Sequence, residues 1–339
     1  MNDKLYVIAE IGANHNGDLA LAKRLIDAAV ACGCDAAKFQ SWSPTSLISK
    51  SEYAANQKYD DSPKKHFGSL REMVEKYYLR EEQHFELSDY CRKKGIDFCS
   101  TPFSPKEVAL LNDCNVPFYK IASMDITNPI LLTSVAQTGK PIVLSTGMAT
   151  LGEIEAAIAT LVKNGAGPIT LLHCISIYPP ELDEINLNNI STLRSTFGLP
   201  VGFSDHSIGT AIPLAAVALG AVILEKHFTL DKNMEGWDHE ISADPREMET
   251  IVREGRNIQV ALGVSQRTIS LAEIEKKHKF RRSVVAAKKL TSGHTLTIGD
   301  LDVKRPGTGI PSERVYEYVG RILTVDLDED DLICESHFR

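Results

Sequence analysis

The sequence predicts an α/β protein in which eight parallel strands and their connecting helices close into a (β/α)8 barrel, followed by a small second domain. Up to about residue 230, short apolar runs alternate with longer segments of helical periodicity. There are eight such runs, a number that favours a closed barrel over an open sheet. The 339 residues accommodate a barrel of about 250 residues and leave enough chain for the second domain.

The predicted strands are short, mostly apolar runs that end in polar residues. In chain order they cover Tyr6–Ile11, Ala36–Gln40, Asp97–Thr101, Phe118–Ile121, Pro141–Ser145, Ile169–Cys174, Val201–Ser204 and Ala221–His227. Between them, Leu19–Cys32 has apolar residues at helical spacing and follows Asp18, a favourable N-cap residue. Leu151–Val162 carries Glu153 and Glu155 in its first turn, where the helix dipole stabilises negative charge.

The connection between the second and third strands is unusually long, from Ser41 to Lys94. Connections in compact domains are usually a few residues long, and longer ones commonly serve a function. Its polar stretch, Ser49–Lys65, is therefore predicted to be a mobile lid or an oligomer contact.

The character of the chain changes near residue 265. Gln266–Lys279 is charged and helix-like, and short strands and turns follow it. We predict a barrel domain at 1–265, a linker at 266–281 and a second domain at 282–339. Strands are predicted in the second domain at Ser283–Ala287, Leu301–Lys304 and Arg321–Val325. So small a domain is expected to gain stability by packing on a partner.

Composition excludes several classes of function. The net charge is −8 with both signs interspersed, which argues against a nucleic-acid surface. No apolar run approaches the roughly 20 residues of a membrane span, and the N-terminus lacks the pattern of a signal peptide. The seven cysteines are scattered, and the one close pair, Cys32 and Cys34, has a poor spacing for a metal site. We therefore expect a cytoplasmic protein with reduced thiols.

Two histidines end neighbouring predicted strands, in Gly202–Ser207 and Ile223–Thr229. The stretch Ile208–Ala221 between them is long enough for one helix, so both strand ends should lie at the same edge of the barrel. Active sites of parallel α/β proteins form at that edge. His206 and His227 could share one metal ion and leave positions open for substrate. The alternative is two structural, hydrogen-bonded core histidines.

Two lysines lie inside apolar strand runs, and a buried lysine is costly unless it is paired. Together with the Ser and Thr residues at other strand ends, Lys38 and Lys120 predict a binding site for a phosphate and a carboxylate. The alternative is that each lysine extends to the barrel rim. Neither a Gly-x-Gly-x-x-Gly nor a Walker motif is present, so a dinucleotide or P-loop site is not expected.

Three further residues stand out by their position. Glu10 is an acid at a strand end, suited to handling a proton or a substrate hydroxyl, or else neutralised by a neighbouring lysine. Asp238 lies in a polar loop after the last strand and could hold sugar hydroxyls, or belong to a solvated loop. Arg305 opens the Gly/Pro-rich segment Arg305–Pro311, which by chemistry alone is a rigid turn.

Five segments, taken jointly and in order, match one known family over essentially the whole chain. They are Ala9–Gly17, Lys38–Gln40, Ser204–Ser207, Glu225–Thr229 and Lys304–Gly307. On these residues the chain resembles the bacterial sialic acid (N-acetylneuraminate) synthases, a family of nonulosonic acid synthases. The resemblance implies a (β/α)8 TIM barrel followed by a C-terminal antifreeze-like (SAF) domain. It also implies the condensation of phosphoenolpyruvate (PEP) with an N-acylated amino sugar, with release of phosphate.

The resemblance also implies roles for individual residues. It assigns a divalent metal to His206 and His227, manganese first, with magnesium or cobalt as alternatives. Positions that hold PEP are matched by Lys38, Thr101, Lys120, Ser123, Ser145, Ser176 and Ser204. Positions around the amino sugar are matched by Glu10, Gln40, Tyr178 and Asp238. Arg305 matches an arginine that reaches the sugar's N-acyl group across a domain-swapped homodimer.

Within this resemblance, the histidines hold a Lewis acid for the aldehyde of the open-chain sugar. Lys38 and Lys120 offset the charge of PEP and orient it over that aldehyde. Glu10, the third predicted catalytic residue beside His206 and His227, handles the proton at the aldehyde oxygen.

The expected acceptor is N-acetylmannosamine or a 2,4-diacetamido-6-deoxyhexose analogue, giving N-acetylneuraminate or legionaminate. The pair Asp238 and His239 is similar to these types, although Glu240–Ser242 replaces a common Lys-Ala-Ser. Ser123–Asp125 likewise reads Ser-Met-Asp where the family pattern is Ser-Gly-Asp/Glu. The alternatives are a pseudaminic acid synthase, a PEP-dependent synthase of a shorter keto acid and a non-catalytic sugar-binding barrel. The C-terminal domain argues against the second of these, and the intact histidines and lysines argue against the third.

Overall fold

The computed structural model describes residues 4–58 and 68–339. The chain divides into two compact units, Met1–Gly263 and Val264–Arg339. Within the described ranges, no helix has both the length and the apolar character that crossing a bilayer requires. All seven cysteines are free thiols.

The first unit is built on eight parallel strands. They are β1 (Tyr6–Gly12), β2 (Ala36–Ser41), β3 (Asp97–Pro102), β4 (Tyr119–Ile121), β5 (Ile142–Ser145), β6 (Ile169–Cys174), β7 (Val201–Asp205) and β8 (Ile223–His227). Their order in the sheet is β3-β2-β1-β8-β7-β6-β5-β4, and β3 packs against β4 to complete the circle. The predicted barrel is confirmed, with strand ends within one or two residues of those predicted from sequence.

Ten helices of the described residues belong to this unit. They are α1 (Leu19–Ala31), α2 (Lys50–Ala55), α3 (Leu70–Lys76), α4 (Glu81–Lys94), α5 (Pro105–Asp113), α6 (Pro129–Ala136), α7 (Leu151–Lys163), α8 (Asn189–Phe197), α9 (Ala211–Ala218) and α10 (Pro245–Leu262). Short 3-10 turns cover Ser123–Asp125 and Leu182–Glu184. Asp18 caps α1 by accepting from the N–H of Ala20, as its position predicts. Thr150 and Glu153 form a capping box at α7, which uses the first-turn acid.

The helix between the two histidines is shorter than its apolar run. The sequence predicts one helix within Ile208–Ala221, and α9 occupies only Ala211–Ala218. Gly209 has φ +87° and Gly220 has φ +90°, a left-handed conformation that glycine adopts without strain. These two glycines flank the helical segment and limit it to Ala211–Ala218.

The described part of the long connection after β2 is a packed segment. It contains α2, α3 and α4, and its apolar side chains form a separate small core with members such as Trp42, Tyr53, Met73 and Tyr77. The predicted lid or oligomer contact, Ser49–Lys65, overlaps α2 at one end. Its remainder from residue 59 lies outside the described residues.

The second unit contains α11 (Leu271–Phe280) and an antiparallel pair, β9 (Ser283–Ala286) and β10 (Leu301–Lys304). Short 3-10 turns cover Ile298–Asp300, Ser312–Tyr318 and Glu335–His337. The predicted strand Arg321–Val325 is wrong, because Ile322 and Leu323 make isolated bridges with different partners instead of one ladder. A small apolar core that includes Val284, Leu296 and Tyr318 holds this unit together.

Candidate active site

The side chains that face the barrel axis change from apolar to polar along the strands. An apolar layer fills the barrel and consists of Ile8, Ala36, Cys99, Phe118, Val143, Leu172 and Ile223. Strand side chains alternate between faces, so the residue two positions later points the same way. At that next level the strands carry Glu10, Lys38, Thr101, Lys120, Ser145, Cys174 and Glu225. The period of the strands thus stacks a polar, ionisable layer on an apolar floor.

This polar layer and the loops beyond it line a cavity of about 310 Å³ at the C-terminal end of the barrel. The predicted site residues that line it are Glu10, Lys38, Gln40, Thr101, Lys120, Ser123, Ser145, Ser176, Tyr178, Ser204, His206 and His227. Asp238 lies beside them, with its Oδ2 3.6 Å from Nδ1 of His227. The barrel unit therefore brings together all of its predicted site residues.

Lys38 and Glu10 form a buried ion pair at the floor of the cavity. They are register partners on β2 and β1, and the Lys38 Nζ lies 2.6 Å from the Glu10 Oε2. The Lys38 ammonium also donates to Thr101 Oγ1 over 3.2 Å. Burial lowers the pKa of Lys38, but the Glu10 and Glu225 carboxylates outweigh it and raise that pKa. The lysine is charged and points inward, so it does not extend to the rim.

Glu225 is the carboxylate that links the two lysines, and sequence reasoning missed it. Its Oε1 lies 3.5 Å from the Lys120 Nζ and 3.8 Å from the Lys38 Nζ, and it accepts from Ser204 Oγ over 3.2 Å. Burial raises the pKa of Glu225, yet Lys120 and Lys38 outweigh burial and lower it. Its position two residues before His227 on one strand was the available signal, because both must face the same side.

Glu10 differs from Glu225 in its protonation. Burial raises the pKa of Glu10 to about 7, with Lys38 opposing and Glu225 reinforcing the change. Gln40 donates to Glu10 Oε1 over 2.7 Å. A carboxyl group with a pKa near neutrality can both give and accept a proton at physiological pH. The two carboxyls of this cavity are therefore suited to different tasks, and Glu10 is the one suited to proton transfer.

The two histidines face each other at the mouth of the same cavity, with ring centroids 5.4 Å apart. Nδ1 of His206 lies 2.7 Å from the backbone carbonyl of Ile175, which can only accept, so this nitrogen carries the proton. Nε2 of His206 is then left with its lone pair. Burial lowers the pKa of each histidine to about 4, so both rings are neutral at physiological pH.

These features test whether the pair fits a metal ion. Neutral imidazoles suit divalent ions such as Mn²⁺ or Zn²⁺. At His206 a backbone carbonyl also holds the other ring nitrogen, an arrangement typical around metal ligands. Within residues 4–58 and 68–339, no group of three or more His, Cys, Asp or Glu side chains is arranged to hold one ion. The two imidazoles fit a site in which the remaining positions belong to water and substrate. The metal itself stays a prediction.

Hydroxyl groups line the opposite side of the cavity. Ser123 Oγ accepts from the N–H of Gly147 over 3.0 Å. A Cβ at Gly147 would lie 2.4 Å from Ser176 Oγ and 2.8 Å from Ser123 Oγ, so only glycine allows this approach. The Oγ of Ser145 is buried and has no hydrogen-bond partner among the described residues. Buried polar groups normally have partners, so this hydroxyl is available to a ligand.

Aromatic and apolar side chains form the rim. Tyr178 stacks on His206 with ring centroids 4.1 Å apart, and it meets His227 edge-on at 5.9 Å. Met124 and Met148 also line the cavity and are 58% and 71% exposed. Sequence reasoning did not assign the methionines a role, because an isolated methionine in a loop carries no specific signal.

Arg305 belongs to the second unit. It is exposed there and lies over the ring of Phe280, with its guanidinium carbon 5.1 Å from the ring centroid. Its predicted role at the sugar of a partner subunit stays a prediction.

Comparisons with known proteins identify the family to which the chain belongs. The model of the NeuB family matches residues 25–267, and that of the SAF domain matches residues 281–339. The N,N'-diacetyllegionaminic acid synthase of Campylobacter jejuni is 44% identical, over 98% of this chain and 99% of that protein. The N-acetylneuraminate-9-phosphate synthase of Mus musculus is 37% identical, over 98% of this chain and 92% of that protein.

A solved structure shows that the similarity extends to the fold. The N-acetylneuraminic acid (sialic acid) synthetase of Leptospira borgpetersenii superimposes with a TM-score of 0.73 at 37% identity, covering 80% of this chain and 90% of that one. The family resemblance, the barrel and the SAF domain predicted from sequence are thereby confirmed. The chain belongs to the NeuB family and is an enzyme of the acid-synthase type, with a barrel that carries the cavity and a C-terminal SAF domain.

Proposed function

We propose that this enzyme condenses PEP with an N-acylated amino sugar to give a nonulosonic acid and inorganic phosphate. A carbon–carbon bond forms between the methylene carbon of PEP and the aldehyde carbon of the open-chain sugar. Water adds at the enol carbon, and the bond from that carbon to the phosphate oxygen breaks. The observation that carries the proposal is one cavity in which two lysines, several hydroxyls and two neutral imidazoles converge.

The charge balance of the cavity supports the binding of an anionic substrate together with a cation. Lys38 and Lys120 oppose Glu10 and Glu225, so the four groups are formally neutral together when all are ionised. PEP brings at least two negative charges into this buried space, and an uncompensated buried charge is costly. A divalent ion held by His206 and His227 would offset them, and when bound it supplies Lewis-acid polarisation of the acceptor's aldehyde oxygen.

The other roles belong to the side chains themselves. Lys38 and Lys120 hold the phosphate and carboxylate, and the hydroxyls of Thr101, Ser123 and Ser145 donate directional hydrogen bonds. Glu10 delivers the proton to the aldehyde oxygen, which becomes a hydroxyl group of the product. Placing both reactants in one cavity supplies the orientation that a bimolecular carbon–carbon bond requires.

For the acceptor, we propose a 2,4-diacetamido-6-deoxyhexose, which would make the product legionaminate. Met124 occupies the position where the family pattern has glycine and lines the cavity together with Met148. Two thioether side chains at the rim favour a 6-methyl group and a second N-acyl group over the hydroxyls of N-acetylmannosamine. The chain is 44% identical to the N,N'-diacetyllegionaminic acid synthase of Campylobacter jejuni and 37% identical to the N-acetylneuraminate-9-phosphate synthase of Mus musculus, and this difference supports the same acceptor.

A panel of acceptors tests this proposal. With PEP and Mn²⁺, we expect the 2,4-diacetamido-6-deoxy sugar to exceed N-acetylmannosamine in kcat/KM by about 10-fold or more, a difference typical of one or two apolar contacts. Phosphate release and product mass are measured together. The variant Met124→Gly should reduce the difference in kcat/KM between these two acceptors. Preference for N-acetylmannosamine or for the pseudaminate precursor would overturn the acceptor assignment, and no phosphate release with any six-carbon acceptor would overturn the synthase itself.

We further propose a homodimer in which Arg305 of the partner subunit reaches the acceptor's N-acyl group. The rim of the cavity supports this, because Met124, Met148 and Tyr178 are more than half exposed. Burial of these side chains against a partner subunit would remove apolar surface from water.

Arg305→Ala is expected to raise the KM of the acceptor about 10-fold, the loss of one charge-assisted hydrogen bond, and to leave the KM of PEP unchanged. Steady-state kinetics with each substrate varied in turn measure this. Arg282→Ala, which removes another exposed arginine of the same unit, is the control. Full activity of a monomer, established by sedimentation, would refute the shared site.

A further inference from the structure

A buried ion pair lies directly behind the two histidines, on the face of the sheet turned away from the cavity. Asp205 and Lys226 are register partners on β7 and β8, and they alternate with the cavity-lining Ser204, Glu225 and His227. Both side chains are 1% exposed, and the Lys226 Nζ lies 2.6 Å from the Asp205 Oδ2. No reactant in the cavity can touch this pair.

Both members of the pair also form hydrogen bonds with the backbone of Ser207. The Lys226 ammonium donates to the backbone carbonyl of Ser207 over 2.6 Å, and the Ser207 N–H donates to Asp205 Oδ1 over 2.9 Å. The backbone of residues 205–207 is thereby pinned on both sides of His206. The same lysine is the immediate neighbour of His227 along β8. One buried ion pair therefore ties together the two backbone segments that carry the two imidazoles.

Stability alone gives a weak reason for such a pair. Removing two charges from water costs about as much as their attraction returns, and apolar residues of similar volume commonly stabilise a protein as well or better. What an apolar pair cannot supply is a donor for the Ser207 carbonyl and an acceptor for the Ser207 N–H. These two bonds act on the position of the backbone around His206.

We propose that Asp205 and Lys226 are positioning residues that set the separation of His206 and His227, and through it the affinity for a divalent cation. This inference rests on the proposed metal-holding role of the histidines. His206 is held from one side by Ile175 and from the other by the pinned 205–207 backbone. Groups that orient metal ligands typically contribute about 10-fold to 100-fold to metal affinity.

The test is a titration of the full-length protein with Mn²⁺ alone, in which free Mn²⁺ is followed by electron paramagnetic resonance. The variant Asp205→Leu/Lys226→Met replaces both charges by apolar side chains of similar size, so no buried charge is left unpaired. It also leaves the buried Ser207 N–H and carbonyl without these partners, so we expect it to fold with a lowered melting temperature. We expect its Kd for Mn²⁺ to rise about 10-fold to 100-fold. Lys226→Arg, which retains a cationic donor, should recover much of the affinity.

A matched control lies elsewhere in the barrel unit. Arg256 pairs with Asp35 over 2.9 Å and also donates to the backbone carbonyl of Gly33, a similar but less buried arrangement away from the histidines. Arg256→Met should lower the melting temperature and leave the Kd for Mn²⁺ unchanged.

The outcomes separate the inference from the proposed function. An unchanged Kd in the apolar double variant, with tight binding in the wild type, would overturn the positioning role and leave the synthase proposal intact. The same loss of affinity in Arg256→Met would also overturn it, because general loosening would then be the cause. Absence of Mn²⁺ binding in the wild type would overturn both the metal-holding role and this inference. A synthase assay that fails while Mn²⁺ still binds would leave the positioning test valid.

Discussion

Replacing His227 by alanine is expected to lower PEP-dependent phosphate release by at least about 10³-fold. Under the proposed metal-holding role, the variant would lose several kcal/mol of charge stabilisation at the acceptor's aldehyde oxygen, and each loss of about 1.4 kcal/mol lowers the rate tenfold. His206→Ala should have an effect of the same order, because a pair of imidazoles cannot hold the ion when one is missing. The measurement is the rate of phosphate release at saturating Mn²⁺ and both substrates.

The control for this result is another buried histidine. His173 lies on β6, also has a lowered pKa caused by burial, and bonds through Nε2 to the carbonyl of Ile185 over 2.7 Å. It does not line the cavity that holds His206 and His227. His173→Ala should lower stability and leave the Kd for Mn²⁺ unchanged. Turnover of His227→Ala near the wild-type rate, or wild-type turnover in the presence of excess chelator, would contradict the metal role.

Replacing Lys120 by methionine is expected to lower kcat/KM for PEP by about 10-fold to 200-fold. A buried charge-assisted contact to an anionic substrate is worth about 1.5–3 kcal/mol, and its removal also leaves Glu225 with one cation fewer. We expect the KM of PEP to rise and the KM of the acceptor to change little. Steady-state kinetics with PEP varied at saturating acceptor measure the change.

A double variant separates substrate binding from stability in this case. Lys120→Met alone should also lower the melting temperature, since the buried Glu225 carboxylate loses one of its two cationic partners. Lys120→Met/Glu225→Gln removes both charges and should restore stability without restoring affinity for PEP. Lys140→Met, a partly buried lysine that bonds to the carbonyl of Val116, is the matched control outside the cavity. An unchanged KM for PEP in Lys120→Met would refute the binding role.

Much of the fold follows from the sequence because it is encoded locally. The eight apolar runs and the helical segments between them determine a barrel, since parallel strands need helical crossovers and eight of them close. The family motifs then identified the SAF domain. The same local logic failed at Arg321–Val325, where an apolar run is present but no single neighbouring strand is available to form a ladder.

The candidate site was likewise predictable only in part from the sequence. The sequence places Lys38, Lys120 and Glu10 near the C-terminal ends of their strands, and the two histidines at the ends of adjacent strands, so all five are predicted at one end of the barrel. Which of these residues touch each other depends on the register between strands that lie far apart in the chain. Glu10 meets Lys38 through the pairing of β1 with β2.

What the sequence by itself determined is therefore the barrel, its polar end and the types of residue found there. What only the tertiary structure decided is the electrostatic arrangement: Glu225 between two lysines, the pKa of Glu10 near 7, and the Asp205–Lys226 pair behind the histidines. The physical reason is that charge interactions and desolvation depend on distances of a few ångströms and on burial. Both are set only when β1, β2, β7 and β8 come together in one closed sheet.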